Sequence, residues 1–152
     1  MVCLGNICRS PIAEGVMREK LAQNNIPAVV DSCGFESFHI GDAPDPRAIK
    51  VAKENGIDIS NLRARLFRRQ DFELFDHIFV MDSNNYRDVS RMSSGESDLE
   101  KVDYLMNLVY PGKNLPIPDP YSGDMDDFRQ TYAMAEQAVD AFIQRIRKSG
   151  NS

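Results

Sequence analysis

Cys3-Leu4-Gly5-Asn6-Ile7-Cys8-Arg9-Ser10-Pro11 is a glycine-containing segment between the start of the chain and a predicted helix. Gly5 and Asn6 tolerate left-handed backbone angles, so successive amides of this segment can converge on one point. The helix that follows adds the partial positive charge of its N-terminus, and Arg9 can direct two hydrogen bonds onto a tetrahedral oxyanion. The segment is therefore predicted to bind an anion, and its geometry suits phosphate.

Cys3 stands on the rim of this predicted anion site. The surrounding donors are expected to hold its sulfur as a thiolate, which would be a nucleophile aimed at phosphorus. A cysteine and an arginine separated by five residues is a weak signal in isolation, because such a spacing arises easily by chance. The alternative is a Gly-Asn turn that caps a helix beside a small buried thiol.

The rest of the chain alternates between strand and helix patterns. The predicted helices are about 11–24 after Ser10-Pro11, a segment from Asp45-Pro46 to Asn55-Gly56, one from Asp82-Ser83 to about Arg91, and one from about Met125 to Arg147. The predicted strands are Ile26–Ser32, His77–Met81 and Val102–Val109, and 93–98 is predicted to be a polar loop. This alternation implies a parallel sheet covered on both faces, with ligands beyond the carboxyl ends of its strands.

Length and composition narrow the class of protein. A chain of 152 residues fits one domain, predicted to span 1–148 with a free polar tail at 149–152. A net charge of −5 argues against nucleic-acid binding. No apolar run is long enough for a membrane helix, and no signal peptide is recognisable, which predicts a cytoplasmic protein without a membrane partner. Three cysteines and two isolated histidines favour neither a disulfide scaffold nor a metal site.

The segment Cys3–Pro11 resembles, at every position, the signature of the low-molecular-weight protein tyrosine phosphatases. Further similarities are Asp31-Ser32, Pro44-Asp45-Pro46-Arg47, Phe75-Asp76 leading into Met81-Asp82, and Asp119-Pro120-Tyr121. The resemblance implies an α/β fold with a four-stranded parallel sheet and helices on both faces (phosphotyrosine phosphatase I-like, in the Rossmann-like or flavodoxin-like class). It also implies hydrolysis of phosphotyrosine and small aryl phosphates through a phosphocysteine intermediate, with no cofactor and no metal.

The resemblance assigns three catalytic positions. Cys3 would attack phosphorus in line, and Arg9 would bind the equatorial oxygens together with the loop residues Leu4, Gly5, Asn6, Ile7 and Cys8. Asp119 would protonate the leaving group and then activate the hydrolytic water. Pro118 and Pro120 restrict the backbone on both sides of this aspartate, although an ordinary Asp-Pro turn is the simpler reading.

The remaining site residues have supporting roles. Ser10 either donates to the thiolate or serves as a helix cap. By resemblance, Ser32 would anchor Asn6, and Cys8 would bond reversibly to Cys3 under oxidation or simply pack as a small residue. Phe38, His39 and Tyr121 match positions that line the substrate cleft, although each would also suit ordinary loop packing.

The sequence departs from the family at its front. Only Met1 and Val2 precede Cys3, so we expect a truncated first strand, with a true start upstream or a gap bridged by the other strands. This departure keeps a catalytically silent phosphotyrosine-binding module as an alternative. Protein arginine phosphatases are a second alternative, although they usually have Thr where Ile7 stands. The expected partners are tyrosine-phosphorylated proteins, and the chain is expected to be a monomer or a weak dimer.

Overall fold

A computed structural model describes residues 1–150. The α-helices are α1 (Arg9–Gln23), α2 (Pro46–Glu54), α3 (Asp71–Leu74), α4 (Ser83–Met92), α5 (Glu96–Leu99) and α6 (Met125–Gly150). The strands are β1 (Ile78–Val80) and β2 (Val102–Tyr104), and two short 3-10 helices occupy Ser37–His39 and Leu105–Leu108. The chain therefore has the α/β character that the alternating patterns predict.

The regular sheet is smaller than the predicted four-stranded one. β1 and β2 pair in parallel with Val80 opposite Tyr104, and these are the regular strands within residues 1–150. Val2 forms single parallel bridges with Val80 on one side and with Cys33 on the other. Two further positions beside β1 are thus occupied by single-residue bridges, and the prediction of four strands is confirmed only as an α/β fold with a parallel sheet.

Helices cover both faces of this sheet. Side chains alternate along a strand, so Phe79 and Met81 enter one buried cluster while Ile78 and Val80 enter the other. The first cluster is built with α1, α2 and α6, and the second contains Val89 of α4. The segment that leads into the Cys3 loop runs between the clusters, because Val2 belongs to the second and Cys3 to the first.

The prediction of a buried strand at Ile26–Ser32 is wrong. These residues form no strand, and the Val29 side chain is 83% exposed. Backbone pairing with the N-terminal segment begins at Cys33, whose amide donates to the Met1 carbonyl at 3.0 Å. One further contact comes from the Met1 ammonium, which donates to the Asp31 carbonyl. Residues 26–30 lie beyond this contact and border a cavity of about 410 Å³ instead of a neighbouring strand.

The predicted strand Val102–Val109 is correct only in its first three residues. The Asp103 carboxylate accepts hydrogen bonds from the Tyr104 amide at 2.8 Å and from the Asn107 side chain at 2.6 Å. These local bonds favour a turn, and the chain continues as the buried 3-10 helix Leu105–Leu108.

Two further boundaries also differ from the predictions. The predicted polar loop at 93–98 includes the first residues of α5. α6 passes through Ser149 and Gly150, where a free tail was expected to begin, and residues 151 and 152 lie outside the described residues.

Local capping chemistry sets the boundaries of α2 and the start of α4 as predicted. The Asp45 carboxylate accepts from the Arg47 amide at the start of α2, with Pro46 in its first turn, and the chain leaves α2 through Gly56 at φ +80°. At α4, Asp82 and Asn85 form a reciprocal capping box. α1 differs, since it begins at Arg9, and its cap residue Cys8 makes no side-chain capping bond.

Candidate active site

The loop of residues 3–9, called the phosphate loop below, turns through a left-handed residue at its centre. Asn6 has φ 56°, as predicted, but Gly5 has no positive φ. Gly5 instead allows close packing, because a Cβ atom there would lie 3.2 Å from Cδ2 of His39 and the imidazole ring would have to shift slightly. The prediction of left-handed angles is therefore correct for Asn6 alone.

The Asn6 side chain stabilises this turn through three hydrogen bonds. Its Nδ2 donates to Oγ of Ser10 and to Oγ of Ser32, both at 2.8 Å, and its Oδ1 accepts from the Arg65 amide at 3.0 Å. Asn6, Ser10 and Ser32 are all buried, so these bonds are protected from water. The predicted contact between Asn6 and Ser32 is present.

A buried carboxylate stands behind Ser32. The Ser32 hydroxyl donates to Oε1 of Glu14 at 2.6 Å, and the opposite oxygen of Glu14 pairs with Arg18. Because the Ser32 proton is directed to Glu14, its oxygen is free to accept from Asn6. Glu14 therefore fixes the direction of the chain of hydrogen bonds that ends at the phosphate loop.

Ser10 faces the predicted nucleophile. Its Oγ lies 3.0 Å from Sγ of Cys3. Since the same oxygen accepts from Asn6, its proton is available to the sulfur. Of the two readings of Ser10, the geometry favours the donor, because the residue lies inside α1 and makes no capping bond.

Arg9 is buried and fixed at the far side of the loop. Its Nη1 donates to Oδ2 of Asp82 at 2.7 Å and to the Ile117 carbonyl at 2.9 Å. Asp82 is thus both the cap of α4 and an anchor for the guanidinium. A guanidinium held in this way presents its remaining N–H groups without having to be ordered when a ligand binds.

Asp119 lies across the cleft from the loop. Its Oδ2 is 3.7 Å from Nη2 of Arg9, and its Oδ1 accepts from the Tyr121 amide at 3.1 Å. The side chain is 46% exposed, so the carboxyl is open to the cleft and to solvent. The structure therefore brings together Cys3, Arg9 and Asp119, although 116 residue positions separate the first from the last.

A cleft of about 190 Å³ opens over the phosphate loop. The predicted residues Phe38, His39 and Tyr121 all line it. The Phe38 and Tyr121 side chains are 73% and 54% exposed, so they form the mouth of the cleft, and the Phe38 ring lies 4.3 Å from that of His39. The full lining consists of Cys3, Leu4, Gly5, Ile7, Cys8, Arg9, Glu36, Phe38, His39, Asp119 and Tyr121.

The three cysteines are free and buried. Burial, together with the nearby charge of Asp45, raises the pKa of the Cys8 thiol well above its ordinary value. Burial likewise raises the pKa of Cys33, to about 12. Both of these thiols are therefore protonated at neutral pH, and the expected exchange between Cys8 and Cys3 stays a prediction.

Sequence reasoning missed several residues that shape the site. Glu14 sits on the buried face of α1, and Asp82 was noted only as a cap. Arg47 is in a recognised motif, but its partners Tyr121 and Gly123 follow more than 70 positions later. The burial of Glu14 and the distant partners of Arg47 become visible only in the folded chain.

The described residues offer few other kinds of site. Residues 1–150 contain no group of three or more His, Cys, Asp or Glu side chains placed to hold a metal ion. Within the same range, no helix has the length and apolar character needed to cross a membrane.

Comparison with known proteins gives consistent matches over the whole chain. The family model "low molecular weight phosphotyrosine protein phosphatase" matches residues 1–152. The fission yeast protein of that name is 42% identical over 151 residues, covering 97% of this chain and 93% of the relative. The crystal structure of an Entamoeba histolytica protein tyrosine phosphatase with Hepes in its active site superposes with a TM-score of 0.90 at 32% identity, covering 98% and 96% of the two chains. A Drosophila arginine phosphatase is also similar, with a TM-score of 0.87 at 31% identity, covering 95% and 94%.

Proposed function

The chain belongs to the low molecular weight phosphotyrosine protein phosphatase family and is a hydrolase that acts on phosphotyrosine; we propose that Cys3, Arg9 and Asp119 carry out its reaction. The family works through a phosphocysteine intermediate. The observation that supports this assignment is the convergence of the three side chains on one cleft, with Ser10 bonded to the Cys3 sulfur. All steps are carried by side chains and backbone amides.

In the first step the Cys3 thiolate attacks phosphorus, the S–P bond forms, and the P–O bond to the tyrosine oxygen breaks. Asp119 gives its proton to that oxygen, so neutral tyrosine leaves. Arg9 and the amides of the phosphate loop bind the three equatorial oxygens, where charge is concentrated in the transition state. The anchors on Asp82 and Ile117 keep Arg9 in place for this role.

In the second step water attacks the phosphocysteine. The Asp119 carboxylate takes a proton from the water, the S–P bond breaks, and inorganic phosphate forms. The Ser10 hydroxyl, 3.0 Å from the sulfur, stabilises the departing thiolate. The enzyme returns to its starting state with Asp119 protonated.

The aromatic side chains at the mouth of the cleft would bind the substrate ring. Phe38 and Tyr121 are exposed on its rim, and His39 packs over Gly5. An aryl ring stacked between such groups fixes the phosphate for in-line attack. This geometry supports tyrosine-phosphorylated proteins as the substrates.

Hydrolysis of 4-nitrophenyl phosphate tests the assignment. Cys3→Ser should abolish turnover while phosphate binding, measured by calorimetry, is retained, and Asp119→Ala should slow turnover by about 10² to 10⁴. Cys33→Ala is the matched control, because it also removes a buried thiol but lies outside the cleft. Equal activity of wild type and Cys3→Ser would overturn the assignment and favour a silent binding module.

An arginine phosphatase activity is the second candidate, supported by the similarity to the Drosophila enzyme. The Ile7 side chain in the cleft favours an aryl ester over a guanidinium phosphate, because it is apolar and bulky. Comparing kcat/KM for phosphotyrosine and phosphoarginine peptides of one sequence decides between them. A higher value for phosphoarginine would refute the tyrosine assignment.

We also propose that the sheet is four-stranded in its topology, with the segments at Val2 and Cys33 as its two short members. The parallel bridges from Val2 to both Val80 and Cys33 support this arrangement. Hydrogen exchange should then protect the amides of Val2, Cys3 and Cys33, all of which donate within the sheet, as strongly as the Ile78 amide. Exchange at the rate of an open loop would contradict it.

Charge and free thiols bear on the partners and location of the protein. A net charge of −5 supports the absence of nucleic-acid binding. We propose that the chain works in the cytoplasm, since its three free thiols suit a reducing compartment. We also propose that it is a monomer or a weak dimer. Sedimentation over a range of concentrations tests the oligomeric state, and a stable dimer at low concentration would contradict it.

A further inference from the structure

The segment that carries Asp119, residues 118–123, is called the acid loop below. It has no helix or strand of its own. Its internal bonds are local, with the Tyr121 amide donating to the Asp119 side chain and the Gly123 amide donating to the Pro120 carbonyl. Such a loop needs contacts from another element if the Asp119 carboxyl is to keep one position over the cleft.

Arg47 of α2 supplies such contacts. Its Nη2 donates to the Tyr121 carbonyl at 2.9 Å, and its Nη1 donates to the Gly123 carbonyl at 3.0 Å. The guanidinium also lies 5.7 Å from the centre of the Tyr121 ring and 4.5 Å from that of Phe128 in α6. One side chain therefore holds the acid loop at two backbone positions that follow Asp119.

Arg47 is itself fixed relative to the phosphate loop. Its Nε and Nη2 donate to the two oxygens of Asp45 at 3.0 and 2.9 Å, which orients the plane of the guanidinium. The Asp45 amide donates to the Ile7 carbonyl of the phosphate loop at 2.8 Å. The pairing also lowers the pKa of Asp45, so its carboxylate stays charged at neutral pH. The contacts form a continuous link from Ile7 through Asp45 and Arg47 to the acid loop.

We propose that Arg47 is a positioning residue that sets the Asp119 carboxyl against the leaving-group oxygen. The proposal rests on the proposed function, since it assumes that Asp119 is the general acid. Arg47 does not line the cleft, so it acts through the acid loop and not on the substrate. Losing it should weaken proton transfer to the leaving group while phosphate binding to the phosphate loop is retained.

The leaving group of the substrate gives a readout specific to this role. A phenolate that is a strong base needs the proton from Asp119 as the P–O bond breaks, whereas a weakly basic one departs without it. For Arg47→Met, kcat/KM for phenyl phosphate should fall by about 10- to 100-fold, and kcat/KM for 2,4-dinitrophenyl phosphate by less than about threefold. Arg47→Lys keeps the positive charge but loses the paired hydrogen bonds of the guanidinium. Its kcat/KM for phenyl phosphate should therefore lie between those of the wild type and Arg47→Met.

The chain offers a matched control in Arg129. It makes a similar paired contact with Glu54 at the other end of α2, at 3.3 and 3.2 Å, and donates nothing to the acid loop. Arg129→Met therefore removes an equivalent surface ion pair, and it should leave both kcat/KM values and the inhibition constant of phosphate unchanged.

Two further variants separate this proposal from the assignment of Asp119. Asp119→Asn alone should show the full leaving-group dependence, and adding Arg47→Met to it should slow phenyl phosphate by no more than about twofold, because the acid is already absent. If Asp119→Asn shows no leaving-group dependence, the proposed general acid is wrong. If it does and Arg47→Met does not, the positioning role is refuted. A fall of equal size for both substrates, accompanied by weaker phosphate inhibition, would also refute it, since that result indicates general damage to the site.

Discussion

The Asn6 side chain offers the most direct test of how the phosphate loop is held. Asn6→Ala removes three hydrogen bonds, two buried ones to Ser10 and Ser32 and a partly buried one from the Arg65 amide. Each bond contributes about 1 kcal/mol net, giving about 3 kcal/mol. An alanine at φ 56° adds about 1 kcal/mol, because its Cβ is disfavoured in the left-handed region. The free energy of unfolding should therefore fall by about 4 kcal/mol, a large part of the stability of a typical domain.

Two companion variants divide this loss into its parts. Asn6→Gly loses the same hydrogen bonds but accepts the positive φ, so it should be about 1 kcal/mol more stable than Asn6→Ala. Asn25 has the same φ of 56°, is exposed, and makes no side-chain hydrogen bond within residues 1–150. Asn25→Ala should therefore show only the backbone penalty, about 1 kcal/mol.

Urea unfolding at equilibrium measures the three stabilities, and phosphate inhibition of 4-nitrophenyl phosphate hydrolysis measures the geometry of the loop. Asn6→Ala and Asn6→Gly should both weaken phosphate inhibition, whereas Asn25→Ala should not. If Asn6→Ala matches Asn25→Ala in stability and binds phosphate as tightly as the wild type, the Asn6 side chain does not hold the loop.

Three other predictions concern the surroundings of the loop. Gly34→Ala places a Cβ 2.7 Å from the Leu4 carbonyl, so the loop must shift and phosphate inhibition should weaken by about tenfold; an unchanged inhibition constant would contradict the packing. Since burial and then the charge of Asp45 raise the pKa of the Cys8 thiol, iodoacetamide at pH 7 should label the nucleophile and spare Cys8, as peptide mass spectrometry can check; preferential labelling of Cys8 would count against it. The hydrogen bonds from Arg47 lower the pKa of Asp45, so its stabilisation is present above about pH 4 and lost as the pH falls further. Asp45→Asn should lower the free energy of unfolding by about 1 kcal/mol at pH 7 and by less at pH 3, and a gap of equal size at both pH values would contradict this.

The sequence predicts well those features that local chemistry decides. Asp45-Pro46 and Asp82 fix helix starts through bonds to amides two or three positions away, so the boundaries of α2 and α4 follow from short windows. The phosphate loop can also be predicted from a short stretch of sequence, because its turn and the helix after it are contiguous.

The errors arise where a distant segment decides the outcome. Val29 would be buried only if a neighbouring strand covered it. The segment that pairs with Cys33 does so through Met1 and does not cover Val29, which is exposed. The strand at Val102 stops early because Asp103 bonds to its own backbone surroundings, a competition that hydrophobic pattern alone does not register.

The site shows the same division between local and distant causes. Cys3 and Arg9 are predicted from the local chemistry of the loop and Asp119 from a resemblance, whereas their convergence on one cleft is a property of the fold. Glu14 and Arg47 were missed because their roles lie in contacts with Ser32 and with the acid loop, 18 and more than 70 positions away. No periodicity in the chain specifies such contacts.

The central claim, that the Cys3 sulfur accepts the phosphoryl group, is tested most directly by trapping the intermediate. The enzyme is mixed with a radiolabelled aryl phosphate, quenched in acid within milliseconds and digested, and the labelled peptide is identified. Covalent phosphate is expected on the peptide that contains Cys3, and none in Cys3→Ala. Phosphate on another residue, or full turnover by Cys3→Ala, would contradict it.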